Sequence, residues 1–290
     1  MERIQYYLLP IFKVMLFCFF IFICAIPFLL LDEINLGSLS LMPPLALEIL
    51  DQVAAVLMVV GALLMVFRVC KQYKFKHVFV VRNKIWTGFG RGTIIGFALV
   101  TSCSLLSMLN GNVAFTLGNT QVVLVFGYAL LYILVGVVEE LIFRSFPLLA
   151  FSERYPAAIA ILITGCFFGL AHYFNPGFTW LAMLNISLVG ILLAIYVLLK
   201  RNIYWAIGIH FGWNFTQGIL LGYKVSGTAP DGLLIAKPLG PAYLSGGSFG
   251  IEGSIFCTLM TVVLIIYILM RSRITPIIEV EEQKFQEEAI

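Results

Sequence analysis

Three polar clusters interrupt long apolar runs in this 290-residue chain. They are Glu139-Glu140-x-x-x-Arg144, Phe168-Gly-Leu-Ala-His172 and His210-Phe-Gly-Trp-Asn214. A charge at membrane depth costs several kcal/mol on insertion scales, so ionisable groups there mark functional sites by default. Glu140 and Arg144 are four apart, share a helix face and can pair. Glu139 is rotated from Glu140 by about 100° and can face a neighbouring helix. One acid is thus free and the other structural. His210 and Asn214 also project from one face, about 6 Å apart along the axis, a spacing that suits the wall of a polar cavity. A carboxylate, imidazoles and an amide can do acid–base chemistry or relay protons. Glu139, His172 and His210 are also the ligand types of a catalytic zinc centre.

The elements that hold these clusters must be membrane helices. Hydrophobic residues make up 61% of the chain and charged residues 11%, against roughly 25% charged in soluble domains. Mean hydropathy is +1.02. The apolar runs do not alternate with period two, which excludes a barrel. Runs near 8–31, 46–67, 89–109, 122–150, 156–174, 178–199, 203–222 and 254–270 predict an all-α polytopic membrane protein. It has about eight transmembrane helices around a polar intramembrane cavity. Pro27, Pro147 and Pro156 mark kinks or helix starts. The first run is too long for a signal peptide's apolar region. The six cysteines fall in apolar runs without metal-binding spacing and read as small buried hydrophobes. No internal repeat or separate soluble domain is visible.

Orientation follows from basic residues. Arg68, Lys71, Lys74, Lys76, Arg82, Lys84 and Arg91 crowd the loop 68–91, which contains no acid. The positive-inside rule makes this loop cytoplasmic, and eight spans then put both termini in the cytoplasm. Topology explains the charge, so no nucleic-acid partner is implied. The Gly/Ser-rich segment 223–253 reads as a flexible outer loop. The tail after Arg273, with five glutamates, reads as a solvated end.

A lone histidine in an apolar helix is ordinarily a hydrogen-bonded core residue, but hairpin geometry raises His172 above that. The fourth and fifth runs turn near Glu153-Arg154-Tyr155-Pro156. Glu139 and His172 each lie about 16 residues, or roughly 24 Å, from that turn, so they can meet at one depth. His210 lies only about 9 residues, roughly 14 Å, from the turn at Lys200-Arg201. Its depth therefore disagrees with the first hairpin.

The three motifs, in this order on successive membrane helices, resemble the CPBP family: the CAAX proteases and bacteriocin-processing enzymes, also called the Abi family, including type II CAAX prenyl endopeptidases. The resemblance covers roughly residues 120–220. It divides the chain into N-terminal helices with the basic loop (1–110), a catalytic core (111–225), and an outer loop, last helix and acidic tail (226–290). The matching positions are Glu139, Glu140 and Arg144, then His172, then His210 and Asn214.

The resemblance implies an intramembrane endopeptidase acting on a hydrophobic or lipidated peptide. The compact chain, in which no luminal domain or organelle signal is seen, leans toward a bacterial cell membrane as its location. Peptide hydrolysis needs an activated water and a stabilised oxyanion. Glu139 is then the general base, and His172 orients the water. His210 and Asn214 donate to the oxyanion, while Glu140 with Arg144 fixes the helix. A metal-free mechanism is favoured, because the chain lacks HExxH; zinc held by Glu139, His172 and His210 is the alternative. The remaining readings are a transporter or ion pathway, and a non-catalytic immunity or scaffold protein. The sequence assigns no oligomeric state.

Overall fold

The computed structural model describes residues 2–33, 42–81, 84–228, 230 and 232–274. The acidic tail from residue 275 onward and Arg82 of the basic loop lie outside them.

Helices dominate: α1 (Glu2–Glu33), α2 (Pro44–Val69), α3 (Ile85–Leu109), α4 (Val122–Glu140), α5 (Phe146–Ser152), α6 (Ala157–Ala171), α7 (Trp180–Lys200), α8 (Tyr204–Phe215), α9 (Ala242–Ser245) and α10 (Ile255–Arg271). Among the described residues five apolar helical segments are long enough to cross a membrane, α4 and α5 counting as one through Val122–Ser152. The shorter apolar helices α6 and α10, and α8 with the wide turn that follows it, bring the total to the expected eight. The chain is an integral membrane protein. Its outer surface shows large apolar side chains such as Phe12, Phe22, Phe126 and Leu259, as a lipid-facing surface requires.

Two wide π turns interrupt the helices. Leu141–Ser145 joins α4 to α5 directly after the paired glutamates, and Thr216–Leu220 extends α8 from two residues after Asn214. Such turns are rare and concentrate at functional sites.

Glycines set where α8 lies. Gly88, Gly92 and Gly96 of α3 recur every four residues and face α8, while Gly208 and Gly212 of α8 face back. A Cβ at Gly92 would strike the carbonyl of Trp205, and one at Gly96 that of Ile209. The two backbones therefore touch, as small residues permit between membrane helices. Gly136 brings α4 to the same helix, with Ile207 O 3.4 Å from where its Cβ would be. On the other side, Gly165 and Gly169 of α6 approach the backbone of α7 at Ser187 and Met183.

The two ends of the molecule are each tied internally. At the basic end Lys13 and Tyr73 both donate to Glu153 Oε2, at 2.7 and 2.6 Å. Burial first, and then the neighbouring Glu153 carboxylate, push the Tyr73 phenol up, so it remains the proton donor. The turn between α7 and α8 also lies at this end: Ile203 N–H donates to Phe79 O, and the Asn202 amide donates to Lys84 O at 3.1 Å.

At the opposite end the structure adds what an all-helical reading omitted. Strands β1 (Val113–Leu117) and β2 (Leu234–Pro238) pair antiparallel, with Val113 opposite Pro238. The segment 223–253 is not a flexible linker, as its composition suggested. Gly222, at φ +67°, turns the chain tightly against Leu234, where any Cβ would collide. Phe249, Ile251 and Glu252 are buried. The glycines make tight turns in an ordered cap. The cysteine reading also needs correction: Cys103 and Cys257 are buried, but Cys18 and Cys166 are exposed on the apolar surface.

Candidate active site

The three polar clusters converge at the floor of one cavity of about 430 Å³. Glu139 Oε2 lies 3.9 Å from His172 Nε2 and 3.8 Å from His210 Nε2. It has no hydrogen-bond partner among the described residues. These separations exceed a direct hydrogen bond and suit a shared water. Glu139 keeps 26% of its side chain exposed to the cavity.

Each imidazole is oriented by its other nitrogen. His172 caps the end of α6, and its Nδ1 lies 2.8 Å from Phe168 O one turn back. A carbonyl only accepts, so Nδ1 carries a proton and Nε2 faces Glu139. His210 Nδ1 lies 3.0 Å from Glu140 Oε1 and donates to it, which leaves Nε2 facing Glu139.

Glu140 therefore has two tasks where the sequence suggested one. Its Oε1 accepts from Arg144 Nη1 at 3.0 Å and from His210 Nδ1 at 3.0 Å. Glu140 and Arg144 are fully buried. Arg144 Nη2 donates to Gly190 O on α7 at 3.1 Å, and the absence of a side chain at Gly190 leaves room for the guanidinium. The guanidinium also stacks over Phe168, 4.0 Å from the ring centroid. Phe168 in turn meets His172 and His210 edge-on, at 5.1 and 5.9 Å. Arg144 thus joins α4, α6 and α7 behind the site.

The depth conflict in the sequence has a physical answer. One carboxylate oxygen approaches both imidazoles, so α8 must start nearer the site than the 153–156 turn does. The 201–203 turn is tucked beneath the basic loop, with Asn202 and Ile203 only 1% exposed. The shortfall of about seven residues corresponds to roughly 10 Å of helix.

Asn214 lies one turn beyond His210, is 6% exposed and lines the same cavity. Sequence reasoning missed two further lining residues, Glu252 and Asn185. The Glu252 carboxylate accepts from Trp213 Nε1 at 3.1 Å, and from Ser226 N–H and hydroxyl at 2.8 and 3.1 Å. It fastens the cap to α8 beside the candidate catalytic groups. Asn185 donates to Glu252 O and Ser254 O and accepts from Thr258. The only sequence signal was a lone acid among the glycines just before the last span. Glu48 and Asp51, at the start of α2, stand at the mouth.

A zinc reading meets a geometric difficulty. Ligands of a tetrahedral site, at about 2.0–2.1 Å from the metal, stand about 3.4 Å apart. The edges from Glu139 to the imidazoles are 3.9 and 3.8 Å. Among the described residues no group of three or more His, Cys, Asp and Glu is placed to hold a metal ion. As arranged here the Glu139 carboxylate stands a few tenths of an ångström farther from each imidazole than two ligands of one zinc ion do.

Residues 120–216 match the family model for type II CAAX prenyl endopeptidase Rce1-like proteins. Glu139, His172, His210 and Asn214 all lie in this segment. The matched stretch is about a third of the chain, and its similarity is to a family of endopeptidases. No curated protein and no solved structure matches the chain.

Proposed function

We propose that this Rce1-like chain hydrolyses a peptide bond in a membrane-associated, hydrophobic or lipidated peptide, with water activated by Glu139. The observation that carries this reading is the unpartnered Glu139 oxygen, within 4 Å of two oriented imidazoles at a cavity floor. A water between Glu139 and His172 donates one proton to each acceptor, leaving its lone pairs for the carbonyl carbon. Glu139 takes a proton as the water attacks and a tetrahedral oxyanion forms. The Asn214 amide, and His210 when protonated at Nε2, donate to that oxyanion. Collapse breaks the C–N bond, and Glu139 returns its proton to the leaving amine. Glu140 holds the His210 ring, and Arg144 holds Glu140.

The cavity walls support a peptide with apolar side chains: Leu131, Ile186, Val189 and Leu193 line it beside Tyr128 and Tyr132. A transport pathway would need access from both ends, whereas buried Phe146, Leu148, Ile195 and Leu198 fill the space toward the basic end.

The test compares membrane peptides in cells carrying wild type and Glu139→Gln. Peptides released only by wild type support the reading and give the cleavage site; identical peptide sets oppose it. Purified enzyme should keep its activity in a chelator. Loss on chelation with recovery on added zinc would make His172 and His210 ligands and overturn the metal-free mechanism.

A further inference from the structure

We propose that substrate enters from the extracytoplasmic face, so that the cleaved bond belongs to a membrane-associated polypeptide already exported, not to a cytoplasmic lipidated tail. This rests on the protease reading above and adds the side on which it operates.

Two independent observations combine. The first is the direction in which the cavity opens. Its wall begins with Glu48 and Asp51 in the first turns of α2, Tyr128 near the start of α4, and Asn175 and Thr228 of the cap, and it ends at Glu139 and His210. All the mouth residues belong to the β1–β2 end. Among the described residues, none of the lining comes from the loop 70–84, the 153–156 turn or the 201–203 turn. Beneath the floor the buried α5 closes the way, with Phe146, Leu148 and Ala150 fully inaccessible.

The cap is built as part of this mouth. The Asn175 amide donates to Ser226 O at 3.0 Å, Gly227 packs on Pro176, and Glu252 holds Ser226 from within. The mouth is therefore framed by the turn between α6 and α7 and by the cap, and none of the described residues of the other end's turns line it.

The second observation is charge. The chain has 18 lysines and arginines. Among the described residues, only Lys224 and Lys237 lie at the mouth end. Lys71, Lys74, Lys76, Arg154 and Arg201 lie in the loop and turns of the opposite end, with Arg271 and Arg273 at the close of α10. Short loops rich in Lys and Arg stay in the cytoplasm. The basic end is then cytoplasmic, and the mouth opens outside.

Cysteine labelling in intact cells tests this without any substrate. The background is the full-length chain with its native cysteines replaced and hydrolysis in detergent retained. A membrane-impermeant maleimide should label Thr228→Cys and Lys237→Cys directly, and Lys76→Cys only after permeabilisation. Should Thr228→Cys fold poorly, Lys237→Cys on β2 reads the same face. A bulky impermeant maleimide on Thr228→Cys cells should lower the hydrolysis later measured in detergent at least tenfold. The same treatment of Lys76→Cys cells should leave it unchanged. Labelling of Lys76→Cys in intact cells, or protection of Lys237→Cys there, overturns the proposal. Failure of the protease reading has a different signature: undiminished hydrolysis by Glu139→Gln in detergent, whatever the labelling.

Discussion

Replacing Glu140 with glutamine should unfold part of the population and separate the two tasks of this residue. Glu140 and Arg144 are 3.0 Å apart with no exposed side-chain surface. At an effective dielectric constant near 20 their attraction is about 5 kcal/mol. Removing one partner of a buried pair costs about 3–5 kcal/mol, because the other charge stays buried. Glutamine keeps the shape and can still accept one neutral hydrogen bond. The expected loss is therefore at the low end, about 3 kcal/mol, or roughly 10²-fold in the folding equilibrium. Denaturant or thermal unfolding of the purified protein in micelles measures it. Adding Arg144→Met should restore most of the stability, since it removes the buried guanidinium left without a counter-charge. It should not restore hydrolysis, because His210 Nδ1 still lacks its carboxylate. Wild-type stability in Glu140→Gln, or no recovery in the double variant, would refute the reasoning.

Three other perturbations read other parts of the account. Gly96→Val places a side chain into the Ile209 carbonyl on α8, and should lower folded yield by the 1–3 kcal/mol or more typical of overpacking, read as a fall in Tm. Glu252→Gln weakens the bonds to Trp213 and Ser226 and should raise hydrogen exchange at residues 224–228 while α3 stays protected. Asn214→Ala should cut hydrolysis by about 10²–10³-fold with little change in Tm, as loss of an oxyanion donor does.

The parts of this molecule legible in sequence are those governed by one-dimensional rules. Helix periodicity put Glu140 with Arg144 and His210 with Asn214, and equal distances from a turn brought Glu139 to the depth of His172. The bond from His210 to Glu140 was not legible, since it joins residues 70 apart and depends on how deep the 201–203 turn sits. The spacing of Gly88, Gly92 and Gly96 was on the page, but which helix they face depends on three-dimensional packing. The cap over the cavity was misread for a similar reason. Its glycines suggested freedom, whereas the pairing of β2 with β1, which sets Pro238 opposite Val113 from far earlier in the chain, and the bonds to Glu252 make them tight turns.

Single-turnover hydrolysis by purified Glu139→Gln shows whether Glu139 activates the attacking water. The carboxylate is partly open to the cavity and its Oε2 has no hydrogen-bond partner among the described residues, so the substitution should leave Tm close to that of wild type. The rate should fall by about 10²-fold or more, the low end of general-base contributions. A folded Glu139→Gln protein that hydrolyses peptide at the wild-type rate would contradict that role.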